Sequence, residues 1–414
     1  MGVPAVAETK MTRAQWGVLI LLVFSVFINY IDRGTLSVAA IAIRAELGFD
    51  PKQLGILLSA FFVTYALLQM PAGWLVDKYS VKWAYGAGFL IWSLATFFTG
   101  LTSGFGSLLL LRLMLGVGES VAYPAYSSII ARTVPESRRG ITNGLIDAAS
   151  KCGPGLGNLI GGLVIASYGW RSLFIALGLG SLVWLVPWMI WGPRSPKIEK
   201  ARVNAGPGLV DILRQRDAWG TFLGLFCGNY TWYFLLTWLP SYLVMERHFT
   251  QRQMSVAGSL PFFAIAISSV SGGWISDRMI ARGSTPTRVR KTCAVGGLLG
   301  SISILPAAIV SDPIVCMALL LFASFSFGFL SSNIWAITQT LAGPQAAGKW
   351  TGWQNGFGNL AGIAAPYVTG VIVNTTGSFL LAFVAVAVVI VIGVFAFLVI
   401  VRDVTPIKWE RRPV

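Results

Sequence analysis

Apolar stretches of about twenty residues recur along almost the whole chain, separated by short polar connections. A membrane span needs roughly 20 mostly apolar residues. Windows of that kind fall near 16–39, 53–76, 83–101, 105–131, 140–166, 170–192, 218–244, 254–276, 292–310, 313–341, 350–373 and 378–401. Runs so long and unbroken predict helices, because the strands of a membrane barrel are shorter and alternate in polarity. The expectation is an all-α membrane protein of twelve transmembrane helices. The first window is too long for a cleaved signal peptide and no small-residue cleavage site follows it, so it reads as a retained helix.

One long polar interruption, from Pro193 to Asp217, carries Pro193, Pro196, Gly206, Pro207 and charges of both signs. It divides the windows six and six: a first half at 1–192, a linker at 193–217 and a second half at 218–414. Composition agrees, since 55% hydrophobic and 11% charged residues with a mean hydropathy of +0.71 leave more apolar surface than soluble domains of this size can bury.

The net charge of +15 invites a nucleic-acid reading, but the placement of the basic residues decides against it. With the N-terminus in the cytoplasm, the connections on that side hold 23 of the 31 Lys and Arg, and the opposite side holds five: Arg44, Lys52, Arg171, Arg247 and Arg252. That asymmetry places both termini in the cytoplasm; the expected location is a bacterial inner membrane. Cys152, Cys227, Cys293 and Cys316 fall inside apolar windows at unrelated spacings, and the one histidine, His248, lies in an external connection. No metal site, disulfide framework or cofactor is expected.

Gly73-Trp74-Leu75-Val76-Asp77-Lys78 returns 200 residues later as Gly273-Trp274-Ile275-Ser276-Asp277-Arg278, each copy at the cytoplasmic end of the second window of a half. Parallel six-helix halves characterise one large class of secondary transporters. The run Gly73-x-x-x-Asp77-Lys78-x-x-x-Lys82 resembles the loop signature of the major facilitator superfamily, and Asp277-Arg278 its weaker second copy. The resemblance implies a gating role for Asp77, Lys78, Asp277 and Arg278, with Asp77 near basic groups on neighbouring helices. A narrower likeness runs through Asn29–Ala39, Arg112–Glu119, the Trp232…Leu243 segment and Trp335, which are similar to the anion:cation symporter family and especially its sugar-acid transporters.

Six ionisable residues lie at membrane depth, all in the first half: Asp32, Arg33, Arg112, Glu119, Asp147 and Lys151. Each costs about 2.5–3.5 kcal/mol on insertion scales for Asp, Lys or Arg, so such residues are functional or paired. Arg112 and Glu119 are seven residues apart, which puts them on one helix face about 10 Å apart along its axis. Glu119 is either a carboxylate that loads and releases a proton or a structural partner of another helix. Asp32 and Arg33 diverge by about 100° on their helix. Asp147 and Lys151, at i and i+4, form either a self-neutralised pair or an addition to the cavity's positive charge. The family resemblance implies proton coupling by Asp32 and Glu119, with Arg112 in reach, and substrate contact by Arg33; it likewise points to Tyr30, Tyr65, Trp335, Gln354 and Asn355 as pocket residues.

The resulting expectation is proton-coupled import of a small organic anion, a hexuronate, aldonate or aldarate, by a monomer working through alternating access. A proton-driven exporter of the same fold is the alternative. A membrane-embedded enzyme lacks a nucleophile with its base, a histidine cluster or a phosphate loop, and a channel would not need the two-half repeat.

Overall fold

The computed structural model describes residues 11–133, 139–193 and 207–409, and every regular element among them is helical. Twelve apolar segments follow one another: α1 (Arg13–Leu47), α2 (Pro51–Lys78), α3 (Val81–Thr99), α4 (residues 105–133), α5 (139–168), α6 (170–191), α7 (Arg216–Met245), α8 (Gln251–Ala281), α9 (286–309), α10 (313–342), α11 (344–376) and α12 (380–400). A single residue divides α5 from α6 and α10 from α11. Gly169 (φ 80°, ψ 166°) and Gly343 (φ 62°, ψ 176°) turn the chain in a region that any side chain would disfavour.

The helices outrun the apolar windows where local chemistry caps them. Ahead of α1 the Gln15 N–H donates to Thr12 Oγ1 at 3.3 Å, and the Thr12 N–H donates to Gln15 Oε1 at 2.7 Å, a reciprocal box that satisfies two orphan donors. At the far end Gly48 adopts φ 73° and its N–H closes on the Arg44 carbonyl.

The internal repeat extends well beyond the pattern visible in the sequence. Gly48 and His248, 200 residues apart, both take left-handed φ, 73° and 56°. Asp50 with Gln53 and Thr250 with Gln253 then form matching boxes at the heads of α2 and α8. Glu46 and Glu246, at the same offset, end α1 and α7. Glu46 accepts hydrogen bonds from Trp170 Nε1 at 2.6 Å and from Arg171, the first two residues of α6. Glu246 accepts from Ser378 Oγ at 3.0 Å and the Phe379 N–H at 3.3 Å, just ahead of α12. Each half therefore ties the end of its first helix to the start of its last with one carboxylate.

The chain forms two compact units, Met1–Phe49 with Ala60–Ile198, and Asp50–Ser59 with Glu199–Val414. In the first, α1 and α3 pack along the Arg139–Trp191 stretch and α3 also against α4. In the second, α7, α8 and α9 pack against the Pro313–Asn359 stretch, and Ser59 Oγ donates to the Ile363 carbonyl at 3.0 Å.

Candidate functional site

The charged cluster of the first unit forms midway along α1, a helix of about 50 Å. Asp32 and Arg33 are 2% and 4% exposed. Arg33 Nε donates to Glu119 Oε2 at 2.8 Å, and Glu119 is wholly buried. The ion-pair partner of Glu119 is thus an arginine of another helix, whereas the spacing along α4 relates Glu119 to Arg112 without pairing them directly. Arg112 is buried as well, within electrostatic reach of both Glu119 and Asp32.

Aromatic rings enclose the Arg33 guanidinium. Its central carbon lies 4.4 Å from the Tyr65 ring centroid, 4.6 Å from Tyr30 and 5.2 Å from Phe61. The same Phe61 ring lies 5.4 Å from the Arg112 guanidinium carbon and stacks on Tyr65. Such faces attract a cation while keeping water away from it. The Tyr30 and Tyr123 hydroxyls meet at 3.0 Å.

Asp32 is held differently. Both of its carboxylate oxygens are buried with no hydrogen-bond partner among the described residues, although Glu119 and Arg112 are within electrostatic reach. The site therefore sets one carboxyl engaged by a guanidinium beside a second that has no hydrogen-bond partner among the described residues.

Local sequence explains how α4 delivers Glu119. Pro124 supplies no N–H to the carbonyl one turn before it, and regular helix lapses at Ser120 and Val121, directly after Glu119. Just before it, Gly118 lies so close to α3 that an added Cβ would stand 2.7 Å from the Gly88 carbonyl oxygen and from Trp92 N. Gly118→Val is expected to destabilise the protein by about 1–3 kcal/mol through overpacking. Gly106→Val, on the same helix where an added Cβ would meet nothing within 4 Å, is expected to leave the unfolding temperature unchanged. Thermal unfolding in detergent compares the two.

The remaining expected residues are dispersed. On α5, Asp147 is exposed and Lys151 half-buried. In the second unit Trp335 and Asn355 are half-buried, whereas Gln354 is fully buried: its Oε1 accepts from Thr338 Oγ1 at 2.7 Å and its Nε2 donates to the Thr221 carbonyl at 3.2 Å. Asp277 is exposed and pairs with Arg290 of α9 at 3.3 Å, while the Arg278 guanidinium lies 5.0 Å from the Trp274 ring. The Asp77 and Lys78 side chains lie outside the described residues. Phe61 and Tyr123 belong to the cluster although nothing in the sequence reading singled them out. For Tyr123 a signal existed, since it stands one helical turn after Glu119.

The family model described as Major Facilitator Superfamily matches residues 22–366. A probable L-galactonate transporter of Escherichia coli strain K12 is 30% identical over 424 residues, which cover 98% of this chain and 93% of that protein. A probable galactarate/D-glucarate transporter of Pseudomonas putida is 32% identical over 409 residues, covering 89% and 88%. Among solved structures, a bacterial homolog of the human lysosomal transporter Spinster, in an inward-facing and occupied conformation, shares the fold with a TM-score of 0.81 at 18% identity, over 95% of this chain and 98% of that one.

Proposed function

Because the chain belongs to the major facilitator superfamily, and is thus a multi-pass membrane transporter and not an enzyme, we propose that it imports a sugar acid together with protons by alternating access. Aldonates and aldarates are the leading substrates, as they are named for the two relatives, with hexuronates as the related class. The bacterial inner membrane with both termini cytoplasmic, and a monomeric working unit, are parts of the same proposal.

The observation that carries it is the buried Arg33–Glu119 ion pair beside an Asp32 that has no hydrogen-bond partner among the described residues. A substrate carboxylate that binds Arg33 competes with Glu119 for the same guanidinium. Once displaced, Glu119 would be a buried anion without its partner, which costs several kcal/mol unless a proton neutralises it. Substrate binding and proton loading are linked through that competition. Asp32 is the second proton carrier, since protonating it breaks no hydrogen bond among the described residues. Arg112 holds positive charge beside both acids.

Tyr30, Tyr65 and Tyr123 supply hydroxyls and flat faces suited to a polyhydroxylated chain. Trp335 and Asn355 are the substrate contacts we assign to the second unit. Gln354 would join them only by giving up its bonds to Thr338 and Thr221. Lys151 is the group for a second carboxylate, as in an aldarate, and Asp77, Lys78, Asp277 and Arg278 are assigned to gating.

Proteoliposomes with a pH indicator trapped inside test the reading. Adding galactonate, galactarate or glucuronate outside is expected to acidify the lumen in a substrate-dependent way. Uptake of labelled substrate with no lumen acidification would overturn proton coupling, and no uptake of any sugar acid would overturn the substrate class.

A further inference from the structure

One face of α9 changes character within four turns. Arg288, Lys291, Thr292, Gly296 and Leu299 recur at the spacing of a single helical stripe, charged and hydroxylated at the start and apolar beyond. With Leu398 of α12 as the facing wall, they line a groove of about 360 Å3. From Arg288 to Leu299 the helix rises about 16 Å, close to half of a hydrocarbon core about 30 Å thick. The groove thus runs from the depth of lipid headgroups to the depth of acyl chains.

Its polar end is built to take a negative charge. Among the described residues the exposed Arg288 guanidinium makes no ion pair or hydrogen bond, and the Thr292 hydroxyl makes no hydrogen bond. Neighbouring arginines are already engaged, Arg290 by Asp277 and Arg402 by Asp217. Lys291 crosses to α12, where its ammonium donates to the Val401 carbonyl at 2.9 Å and the Leu398 carbonyl at 3.4 Å, closing the groove between the two helices. The acids within electrostatic reach of Lys291 are Asp217, bound by Arg402, and Asp403. At the apolar end a Cβ added to Gly296 would meet no atom within 4 Å, so the groove floor is open for an alkyl chain.

We propose that this groove binds an anionic phospholipid from the leaflet on the basic side of the protein. Its phosphate sits on Arg288 and Thr292 with Lys291 behind, and one acyl chain lies over Gly296 between Leu299 and Leu398. A zwitterionic lipid carries its own ammonium beside the phosphate and gains less from the arginine. The selectivity is for net negative headgroups such as phosphatidylglycerol.

Native mass spectrometry of the purified protein, released from micelles holding equal phosphatidylglycerol and phosphatidylcholine with identical chains, reads this selectivity. Retained phosphatidylglycerol is expected to exceed phosphatidylcholine. Arg288→Gln is expected to cut that preference on the order of fivefold, the worth of one basic residue at a lipid surface. Gly296→Leu, which fills the floor, is expected to remove the preferentially retained lipid. Unfolding temperatures matching the wild type show that both variants remain folded. Equal retention of the two lipids, or a preference unchanged in both variants, would overturn the proposal. So would loss of the bound lipid to millimolar inorganic phosphate, which would make the feature an anion site in which the acyl chain plays no part.

Discussion

Glu119→Gln is expected to bind and exchange substrate while losing all accumulation driven by a pH gradient. In the wild type the Glu119 carboxylate occupies Arg33 at 2.8 Å in a site closed to water. A substrate anion can take Arg33 only as that carboxylate withdraws, and withdrawal without a proton leaves an unpaired buried charge. By linkage, one proton taken up with each substrate makes apparent affinity fall about tenfold per pH unit wherever the free protein holds that carboxylate ionised. Glutamine keeps an oxygen to accept from Arg33 Nε but never competes as an anion. Binding in the variant is therefore expected to be at least as tight as in the wild type and to lose its pH dependence. Exchange of labelled for unlabelled substrate continues, because that cycle releases no proton. Net uptake stops, because a group that cannot be deprotonated cannot complete it. Counterflow and pH-driven uptake in the same proteoliposomes separate these outcomes. A variant that accumulates substrate at the native rate with the native pH profile would make Glu119 a structural partner of α1 and move coupling to Asp32.

The membrane architecture was legible because its signal is coarse: twelve apolar windows survive uncertainty at every helix end. What escaped were features that depend on one residue's backbone or on a contact between distant residues. The end of α1 moves from the apolar limit at 39 to Leu47 because helix continues past the apolar zone to a glycine cap. The repeat reads as six residues in sequence, yet in structure it includes Gly48 with His248 and Asp50 with Thr250. Unlike residues do the same work there, so identity could not reveal it. The intramembrane charges stood out because each is costly in lipid, and this singled out Asp32, Arg33, Arg112 and Glu119. Their pairing did not follow from periodicity, which relates residues of one helix, whereas Arg33 and Glu119 meet across 86 positions of sequence. Phe61 was invisible for a related reason: a phenyl ring that cages a guanidinium looks in sequence like any other of the 25 phenylalanines.

Arg33→Lys is expected to weaken sugar-acid binding tenfold or more even though the positive charge remains. A guanidinium presents a flat fork that can meet both oxygens of a carboxylate, and it lies well against aromatic faces. An ammonium offers single, more strongly hydrated donors. The three rings at 4.4, 4.6 and 5.2 Å surround a planar group, and lysine fills that space with a smaller, rounder head. Loss of one hydrogen bond between charged partners is worth about 1.5–3 kcal/mol, and about 1.4 kcal/mol is already tenfold in affinity. The same substitution loosens the pair with Glu119, so some loss of thermal stability accompanies it. Affinity is therefore measured by calorimetric titration of galactonate at a temperature where the variant is fully folded. Arg112→Lys serves as the comparison, since Arg112 neighbours the same Phe61 ring but has no role as the primary carboxylate contact. A large loss at Arg33 with a small one at Arg112 supports the assignment. If Arg33→Lys binds as tightly as the wild type while Arg112→Lys does not, the substrate carboxylate belongs to Arg112, and the buried pair of α1 and α4 holds the helices together without touching the cargo.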